Sequence, residues 1–221
     1  MEKKRKIMKI KNNIILAMDL MDYDSIIKTT ESVLEELNTI KIGYPLTLSQ
    51  GPQIITEFKE NYNINIICDY KVADIPATNE KICKSTFEYG ADAIIAHGFT
   101  GEDSIQACHE TAKNYKKELF LLTEMSHPGA KTFIQPIANQ IAELGVKLGI
   151  NNYVAPSTRI NRLKEIREIV GKNAFIISPG VGTQGGNPKE TLQYANALII
   201  GRSIYNAPNP KQALNDIIKT L

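Results

Sequence analysis

The chain has 221 residues, 43% of them hydrophobic, which is enough to bury a sizeable core in one α/β domain. Its 26 basic and 24 acidic residues nearly cancel, and the net charge of +2 argues against a nucleic-acid-binding surface. No apolar run reaches transmembrane length, and the run 14–18 is too short for a signal peptide because Asp19 interrupts it. We therefore expect a cytoplasmic protein that does not bind a membrane.

The first residues are unusually basic, and we predict a solvated tail over residues 1–11 followed by one catalytic domain over residues 12–221. The cysteines are odd in number and lack a Cys-x-x-Cys spacing, which suits a reducing compartment and argues against disulfides or structural zinc. The three histidines are too scattered to indicate a metal site. The sequence therefore predicts no metal.

Eight short apolar runs recur along the chain, and each is followed by a longer amphipathic or polar stretch. The predicted strands are 14–18, 39–43, 64–68, 93–96, 119–123, 153–155, 174–177 and 197–200. The predicted helices are 25–37, 46–62, 77–89, 102–115, 134–147, 162–170, 189–194 and 211–220, with starts indicated at Asp103, Asn187-Pro188 and Asn209-Pro210. Because strand and helix alternate throughout without a linker, the sequence predicts an α/β fold, a single (β/α)8 TIM barrel.

Polar residues stand at the end of every predicted strand. In a (β/α)8 barrel the active site lies at the carboxyl ends of the strands. Any one of these residues alone is compatible with a cap or a loop contact, but their recurrence predicts an active site. The polar residues at or just after the strand ends include Asp19, Lys41, Asp69, Lys71, His97, Glu124, Ser126, His127, Arg159, Ser178 and Arg202.

The third strand leads into the pattern Asp69-x-Lys71-x-x-Asp74. Side chains two apart on an extended segment share a direction, so Asp69 and Lys71 are expected to point into one space. Asp74 lies just past the predicted strand, where the chain is free to turn. Charges beside a buried strand are costly unless they pair or serve chemistry. A structural ion pair is the alternative interpretation of this pattern alone.

The segment 180–185 matches the glycine pattern of a dinucleotide-binding turn, but its context is wrong. That pattern belongs on the first strand–helix turn and opens a helix directly, whereas here it follows the seventh strand. In a barrel the loops after the seventh and eighth strands commonly bind phosphate. Glycine backbone groups, the guanidinium of Arg202 and the amide of Gln184 suit that task. A plain glycine-rich turn is the alternative.

Several segments form a joint pattern that is highly specific. They read Leu-Ala-Met-Asp at 16–19, Lys-Ile-Gly-Tyr-Pro at 41–45, Asp-Tyr-Lys-Val-Ala-Asp-Ile-Pro at 69–76, Leu-Thr-Glu-Met-Ser-His-Pro-Gly at 122–129, Ser-Pro-Gly-Val-Gly at 178–182 and Gly-Arg-Ser at 201–203. Together they resemble the archaeal type of the orotidine 5′-phosphate decarboxylase family. The resemblance covers nearly the whole chain after the basic tail. One departure is Tyr70, where many members of the family carry Phe.

The resemblance implies a cofactor-free conversion of orotidine 5′-phosphate to uridine 5′-phosphate (UMP) in pyrimidine biosynthesis. It implies that Lys41, Asp69, Lys71 and Asp74 form an alternating array of charges. In that array Lys71 would donate the proton to C6 of the pyrimidine, and Asp69 would lie beside the substrate carboxylate. Asp74 and Thr78 would reach into the site of the neighbouring subunit, which implies a homodimer.

The resemblance also assigns substrate contacts along the ligand. Asp19, with Lys41 and Asp74, would hold the ribose hydroxyls. Ser126 would contact the pyrimidine, and Gln184 and Arg202 the phosphate. The further substrate-binding residues that it implies are Ile75, Pro179, Gly180, Val181, Gly182 and Gly201.

Two alternatives stay open at this point. Metal-dependent sugar-phosphate decarboxylases and aldolases of the same superfamily share the Asp-x-Lys-x-x-Asp pattern and the phosphate end. They need acidic metal ligands, whereas this sequence has Lys41 at the end of the second strand. The other alternative is a non-catalytic nucleotide-binding barrel, which would not need the charge array.

Overall fold

The computed structural model describes residues 8–182 and 184–221, in which eight parallel strands close into one barrel in sequence order. The predicted (β/α)8 barrel is thereby confirmed. The strands are β1 (Ile14–Met18), β2 (Thr39–Gly43), β3 (Asn65–Val72), β4 (Ala93–His97), β5 (Glu118–Leu122), β6 (Asn152–Val154), β7 (Phe175–Pro179) and β8 (Ala197–Ile200).

Helices follow every strand and cover the outside of the barrel. Within the described residues, no helix is long and apolar enough to cross a membrane. The helices are α1 (Tyr23–Val33), α2 (Tyr44–Gln50), α3 (Gln53–Asn61), α4 (Pro76–Glu88), α5 (Glu102–Asn114), α6 (Ala130–Phe133), α7 (Ala138–Lys147), α8 (Ile160–Val170), α9 (Pro188–Thr191), α10 (Arg202–Tyr205) and α11 (Pro210–Ile218).

The predicted strands are all present, but two predicted helices are interrupted. The prediction 46–62 is two helices, because Gly51 adopts a φ of +78° and Pro52 has no N–H to continue the hydrogen-bond ladder. The prediction 134–147 begins with a 3-10 turn at 135–137, which contains Pro136, and only then becomes α7. Proline and glycine therefore divide segments whose apolar spacing alone reads as continuous.

Two of the three predicted helix starts act as caps. The side chains of Asn187 and Asn209 each accept a hydrogen bond from the main-chain N–H three residues later, at 3.0 Å. In both cases proline occupies the first helical position, where a missing N–H is harmless. Asp103 is not a cap, because α5 begins one residue earlier with Gly101 in the cap position.

Alternating side chains of the strands divide the apolar core into two layers. In β1, for example, Ile15 and Ala17 face the barrel interior, while Ile14, Leu16 and Met18 face the helices. This follows from the period of two in a strand. Because both faces are buried, the strands read as continuous apolar runs rather than alternating ones. The interior layer comprises Ile15, Ala17, Ile67, Ala93, Ile95, Phe120, Leu122, Val154, Ile177, Ala197 and Ile199.

The end of the barrel opposite the strand carboxyl ends is fixed by Asp92, just before β4. Its carboxylate accepts hydrogen bonds from Lys59 at 2.8 Å, from Lys117 at 3.0 Å and from the N–H of Ile66 at 3.0 Å. Burial alone would raise the pKa of Asp92, but these three donors hold that pKa below its ordinary value. The carboxylate thus connects α3, β3 and the start of β5.

The predicted basic tail falls partly outside the described residues, since 1–7 are not among them. Residues 8–11 are described. Met8 and Ile10 pack against the interior layer, and the N–H of Lys11 donates to Asn38 at 2.9 Å. This short segment therefore contacts the end of the barrel that Asp92 stabilises.

Removing the charge of Asp92 should destabilise the barrel. It should also make the free energy of unfolding depend less on pH in the acid range. The folded pKa is lowered, so this stabilisation is complete above the ordinary aspartate pKa and is lost as pH falls below it. We expect Asp92→Asn to lower the free energy of unfolding by about 2 kcal/mol at neutral pH, the order of a charged hydrogen bond left unmade. Denaturant unfolding at several pH values measures both effects.

Asp216→Asn is the control, because Asp216 also pairs with a lysine, Lys219, but is exposed. It should leave the unfolding free energy nearly unchanged. Equal losses from the two substitutions would contradict the role of Asp92.

Candidate active site

The centre of the candidate site is the Asp69 carboxylate, which lies between two lysines. Its Oδ2 is 2.8 Å from Lys41 Nζ, and its Oδ1 is 2.8 Å from Lys71 Nζ. The Asp69 and Lys41 side chains are only 10% and 9% exposed, whereas Lys71 is 35% exposed. The structure therefore brings these three predicted residues together, with Lys71 as the most accessible member.

An irregularity in β3 directs Lys71 towards Asp69. Opposite β4, the pairing advances from Cys68 to Val72 on β3 but only from Ile94 to Ala96 on β4, so β3 accommodates two extra residues. Lys71 itself has a φ of +45°, in the left-handed region that a residue with a side chain rarely adopts. The predicted meeting of Asp69 and Lys71 is confirmed, but its predicted cause, a regular strand, is wrong. A bulge produces it instead.

Mutual attraction keeps the buried charges ionised. Burial alone would lower the pKa of Lys41, but Asp69 and then Asp19 raise it above its ordinary value. Burial alone would likewise raise the pKa of Asp69, but Lys41 and then Lys71 lower it. The two shifts agree with an ion pair that stays charged at neutral pH.

A first cavity of about 170 Å³ opens at the carboxyl ends of β7, β8, β1, β2 and β3. Most of the predicted substrate contacts gather around it, from these five strands and the loops that follow them. It is lined by Ala17, Asp19, Lys41, Asp69, Pro179, Gly180, Val181, Gln184, Ile199, Gly201, Arg202, Ser203 and Tyr205.

Glycine is required at two points of the loop after β7. A Cβ on Gly180, whose φ is +102°, would lie 2.7 Å from Thr158 Cγ2. A Cβ on Gly182, whose φ is +73°, would lie 2.7 Å from Ser203 Oγ. The loop therefore approaches the loops after β6 and β8 more closely than another residue would allow. It turns back on itself, because the N–H of Gly186 donates to the Gly180 carbonyl at 3.0 Å.

A second cavity of about 130 Å³ adjoins the first and shares Lys41, Asp69, Pro179 and Ile199 with it. Lys71, Met125 and Ser126 also line it. The apolar side chains of Ile95, Leu122 and Val154 form another part of its wall. These three residues were not among the predicted site residues, because that prediction rests on polar residues at the strand ends. Strand alternation is the signal that would have found them, since all three face the barrel interior.

Four predicted site residues do not line either cavity. Asp74 and Ile75 are exposed, Thr78 is half-buried, and Gly182 lies beside the first cavity without lining it. The main chain at Asp74 is nevertheless fixed. Its N–H donates to Asn79 Oδ1 at 3.0 Å, and its carbonyl accepts from Ser104. Within one chain, therefore, Asp74 does not line either of the two cavities that this chain forms.

His97 ends β4 close to the charged residues. Its ring lies 4.6 Å from the ring of Phe99, and within the described part of the chain its buried Nδ1 has no hydrogen-bond partner. Burial, and next the charge of Lys71, lower the pKa of His97 to about 4. His97 is therefore a neutral neighbour of the array at physiological pH. Across residues 8–182 and 184–221 no three His, Cys, Asp or Glu side chains come together as a group able to hold a metal ion.

The sequence and the fold are both similar to those of known proteins. Residues 12–217 match the model of the orotidine 5′-phosphate decarboxylase / HUMPS family. The chain is 62% identical to the orotidine 5′-phosphate decarboxylase of Methanosphaera stadtmanae over 97% of this chain and 99% of the relative. It is 50% identical to that of Methanocaldococcus jannaschii over 90% and 93% of the two chains.

Two crystal structures have the same fold over almost the whole chain. The orotidine 5′-monophosphate decarboxylase from Methanocaldococcus jannaschii, complexed with the inhibitor BMP, superposes with a TM-score of 0.89 at 48% identity, covering 94% of this chain and 97% of that one. The orotidine 5′-phosphate decarboxylase from Pyrococcus horikoshii gives a TM-score of 0.86 at 39% identity, covering 94% and 98%.

The position of His97 beside Lys71 can be tested by titration. In the wild type, nuclear magnetic resonance should give a midpoint near pH 4 for His97. Lys71→Met removes the neighbouring cation, so the midpoint should rise, while burial should still keep it below the ordinary histidine value. Lys219→Met, at the end of α11, should leave it unchanged. If the titration midpoint of His97 is the same in the Lys71→Met variant as in the wild type, the two side chains do not interact.

Proposed function

The chain belongs to the orotidine 5′-phosphate decarboxylase / HUMPS family, and from this we infer that it converts orotidine 5′-phosphate to UMP with release of CO2. This is a lyase reaction of pyrimidine biosynthesis. The observation that carries the mechanism is the Asp69 carboxylate held between Lys41 and Lys71 where the two cavities join. The Methanocaldococcus jannaschii relative binds the inhibitor BMP in its crystal structure, which supports a small-molecule ligand for the same barrel here.

The role proposed for Lys71 is to stabilise and then protonate the reacting carbon. When the bond between C6 and the carboxylate breaks, its electron pair stays on C6 and CO2 leaves. The ammonium group of Lys71 offers a fixed positive charge to that electron pair and then transfers a proton to it. Lys71 regains its proton from water. Its accessibility, greater than that of Asp69 and Lys41, supports this assignment.

The role proposed for Asp69 is to hold the lysines and to face the carboxylate that leaves. Because Lys41 and Lys71 keep Asp69 ionised, it presents negative charge to any carboxylate bound beside it. Loss of CO2 relieves the repulsion between the two. The apolar wall of Ile95, Leu122 and Val154 suits CO2 better than it suits a charged carboxylate.

The role proposed for the first cavity is to bind the ribose phosphate. Arg202 and Gln184 line it together with the glycine loop, which presents backbone close to the ligand. Asp19 lines the same cavity beside Lys41, in reach of ribose hydroxyls. Binding energy from a phosphate remote from C6 can be used to position the pyrimidine in the second cavity.

Lys41 favours decarboxylation over the metal-dependent chemistry of related sugar-phosphate enzymes. Such a site needs acidic ligands around the ion. Here Lys41 lies within β2, and its ammonium group already pairs with one oxygen of Asp69. A cation in the position of a ligand would repel a divalent metal. We therefore propose that the reaction needs no metal or other cofactor.

We also propose that the active protein is a homodimer in which Asp74 and Thr78 complete the partner's site. Asp74 is exposed and lies outside its own cavity. Large apolar side chains are exposed next to it and on α2, since Ile75, which follows Asp74, is 65% exposed and Leu48 is 81% exposed. An adjoining groove of about 480 Å³ between α2 and α4 is lined mainly by apolar and aromatic side chains. Such a surface is typical of an interface between subunits.

The function is tested directly by Lys71→Ala. After exhaustive chelation of metals, the wild type should still convert orotidine 5′-phosphate to UMP, and the fall in the absorbance of the substrate measures this conversion. The substitution should reduce turnover by orders of magnitude and leave UMP binding much less affected. Lys164→Ala, an exposed lysine of α8, is the control. A variant that retains more than about a tenth of the activity, a loss of only ~1.4 kcal/mol, would contradict the role of Lys71. Activity that chelation removes and Mg²⁺ restores would instead indicate the metal-dependent class.

Arg202→Ala tests the phosphate assignment. A charged hydrogen bond to phosphate contributes about 1.5–3 kcal/mol, so the Michaelis constant for orotidine 5′-phosphate should rise roughly tenfold or more. Orotidine, which lacks the phosphate, should be a poor substrate for the wild type and should be scarcely affected by the substitution. If both substrates respond alike, Arg202 has a structural role only.

Mixing two inactive variants tests the shared site. Lys71→Ala and Asp74→Ala should each be nearly inactive, but subunit exchange should produce mixed dimers with one intact site. Half of the dimers should be mixed, so about a quarter of wild-type activity should return if the sites are independent. No recovery, with mixed dimers demonstrated by mass spectrometry, would mean that Asp74 serves its own chain.

A further inference from the structure

A buried carboxylate outside both cavities holds the segment that follows β5. The Glu124 side chain is 0% exposed, and it accepts hydrogen bonds from Arg159 Nε at 2.8 Å and from Arg162 Nε at 3.0 Å. Gln135 Nε2 donates to the same carboxylate at 2.8 Å. Side chains from the loop after β6, from α8 and from the turn before α7 therefore converge on one acidic residue.

Arg159 connects this carboxylate to the wall of the second cavity. Its guanidinium donates to the main-chain carbonyl of Met125 and, at 3.3 Å, to that of Ser126. The hydroxyl of Thr158 donates to the Ser126 carbonyl as well, at 2.9 Å. Met125 and Ser126 line the second cavity together with Lys71. Arg159 therefore holds the main chain of two residues of the cavity wall.

Arg162 binds the same carboxylate without touching that wall. Its remaining hydrogen bonds are to Asn139 on α7, at 2.7 Å, and to Glu165 on α8. Arg159 and Arg162 thus bind Glu124 in the same manner, each through its Nε, to Oε1 at 2.8 Å and to Oε2 at 3.0 Å respectively. They differ in what the rest of each guanidinium holds, and this makes them a matched pair.

Stability alone explains this arrangement poorly. A buried ion pair contributes little net stability, because the cost of removing charges from water offsets their attraction. Residues 124–126 belong to no helix or strand, although the N–H of Thr123 still donates to the Val154 carbonyl of β6 at 3.1 Å. The N–H donors of a guanidinium lie in a rigid plane, so a guanidinium with a fixed orientation also fixes the carbonyls that it binds. The cluster can therefore place the cavity wall accurately.

We propose that Arg159 is a positioning residue for the pyrimidine end of the substrate and that Glu124 orients its guanidinium. The inference rests on the proposed function, because it takes Ser126 to contact the pyrimidine. Arg159 acts through the backbone of Met125 and Ser126 and has no contact with the reacting atoms. Loss of its orientation should shift Ser126 and leave the phosphate contacts in place.

The test compares Arg159→Gln with Arg162→Gln, each of which removes one of the two guanidinium groups from Glu124. Calorimetric titration with UMP and with ribose 5-phosphate separates the base from the phosphate end. We expect Arg159→Gln to raise the dissociation constant of UMP about tenfold, which corresponds to the loss of one hydrogen bond. The substitution should leave the dissociation constant of ribose 5-phosphate unchanged. Arg162→Gln should change neither affinity, although both variants should lose similar thermal stability. Glu124→Gln should behave like Arg159→Gln.

The proposal is overturned if the two arginine variants bind both ligands alike, or if Arg159→Gln weakens both ligands equally. If Arg159→Gln does not fold, Arg159→Lys is judged by the same criteria, since it keeps the charge but not the planar fork. Failure of the proposed function has a different signature. A wild type that binds UMP no more tightly than ribose 5-phosphate would contradict pyrimidine recognition itself, whatever the variants do.

Discussion

The pairing of one carboxylate with two ammonium groups is the interaction on which this site depends. Asp69 is almost completely buried, and an isolated charge there would be very unfavourable. Lys41 and Lys71 each take one of its oxygens at 2.8 Å, so that all three stay ionised. Removing Asp69 would leave the buried ammonium group of Lys41 without this partner, at a cost above that of losing a surface ion pair.

The barrel is what makes this pairing possible. Lys41 stands on β2 and Asp69 on β3, two neighbouring parallel strands whose register places Gly43 opposite Asp69. The interior layer fills the barrel below them with apolar side chains and prevents water from reaching the ion pair from that side. Asp92 stabilises the opposite end, so the charged end is held on a rigid scaffold.

The loops divide the remaining tasks. The glycine loop after β7 approaches its neighbours closely enough to shape the first cavity, and the segment after β5 forms part of the wall of the second cavity. The second segment has no regular structure, and side chains from the loop after β6 hold its carbonyls. The proposed catalysis is therefore distributed over a rigid sheet and loops that are fixed individually by glycine sterics or by buried charge.

The sequence by itself determined the class of fold and most of the residues that line the candidate site. Both faces of each strand are buried, so the eight apolar runs stand out clearly, and polar residues recur at the end where parallel strands of a barrel converge. Asp19, Lys41, Asp69, Lys71, Ser126, Gln184 and Arg202 were all predicted, and all line the two cavities.

Only the tertiary structure decided the geometry around those residues. The bulge that turns Lys71 towards Asp69 arises from pairing between β3 and β4, and local spacing cannot reveal a mismatch with another strand. Ile95, Leu122 and Val154 look like ordinary core residues until the strands are assembled around one cavity. The partners of Glu124 are 11 to 38 residues away along the chain, so its role depends on contacts that exist only after folding.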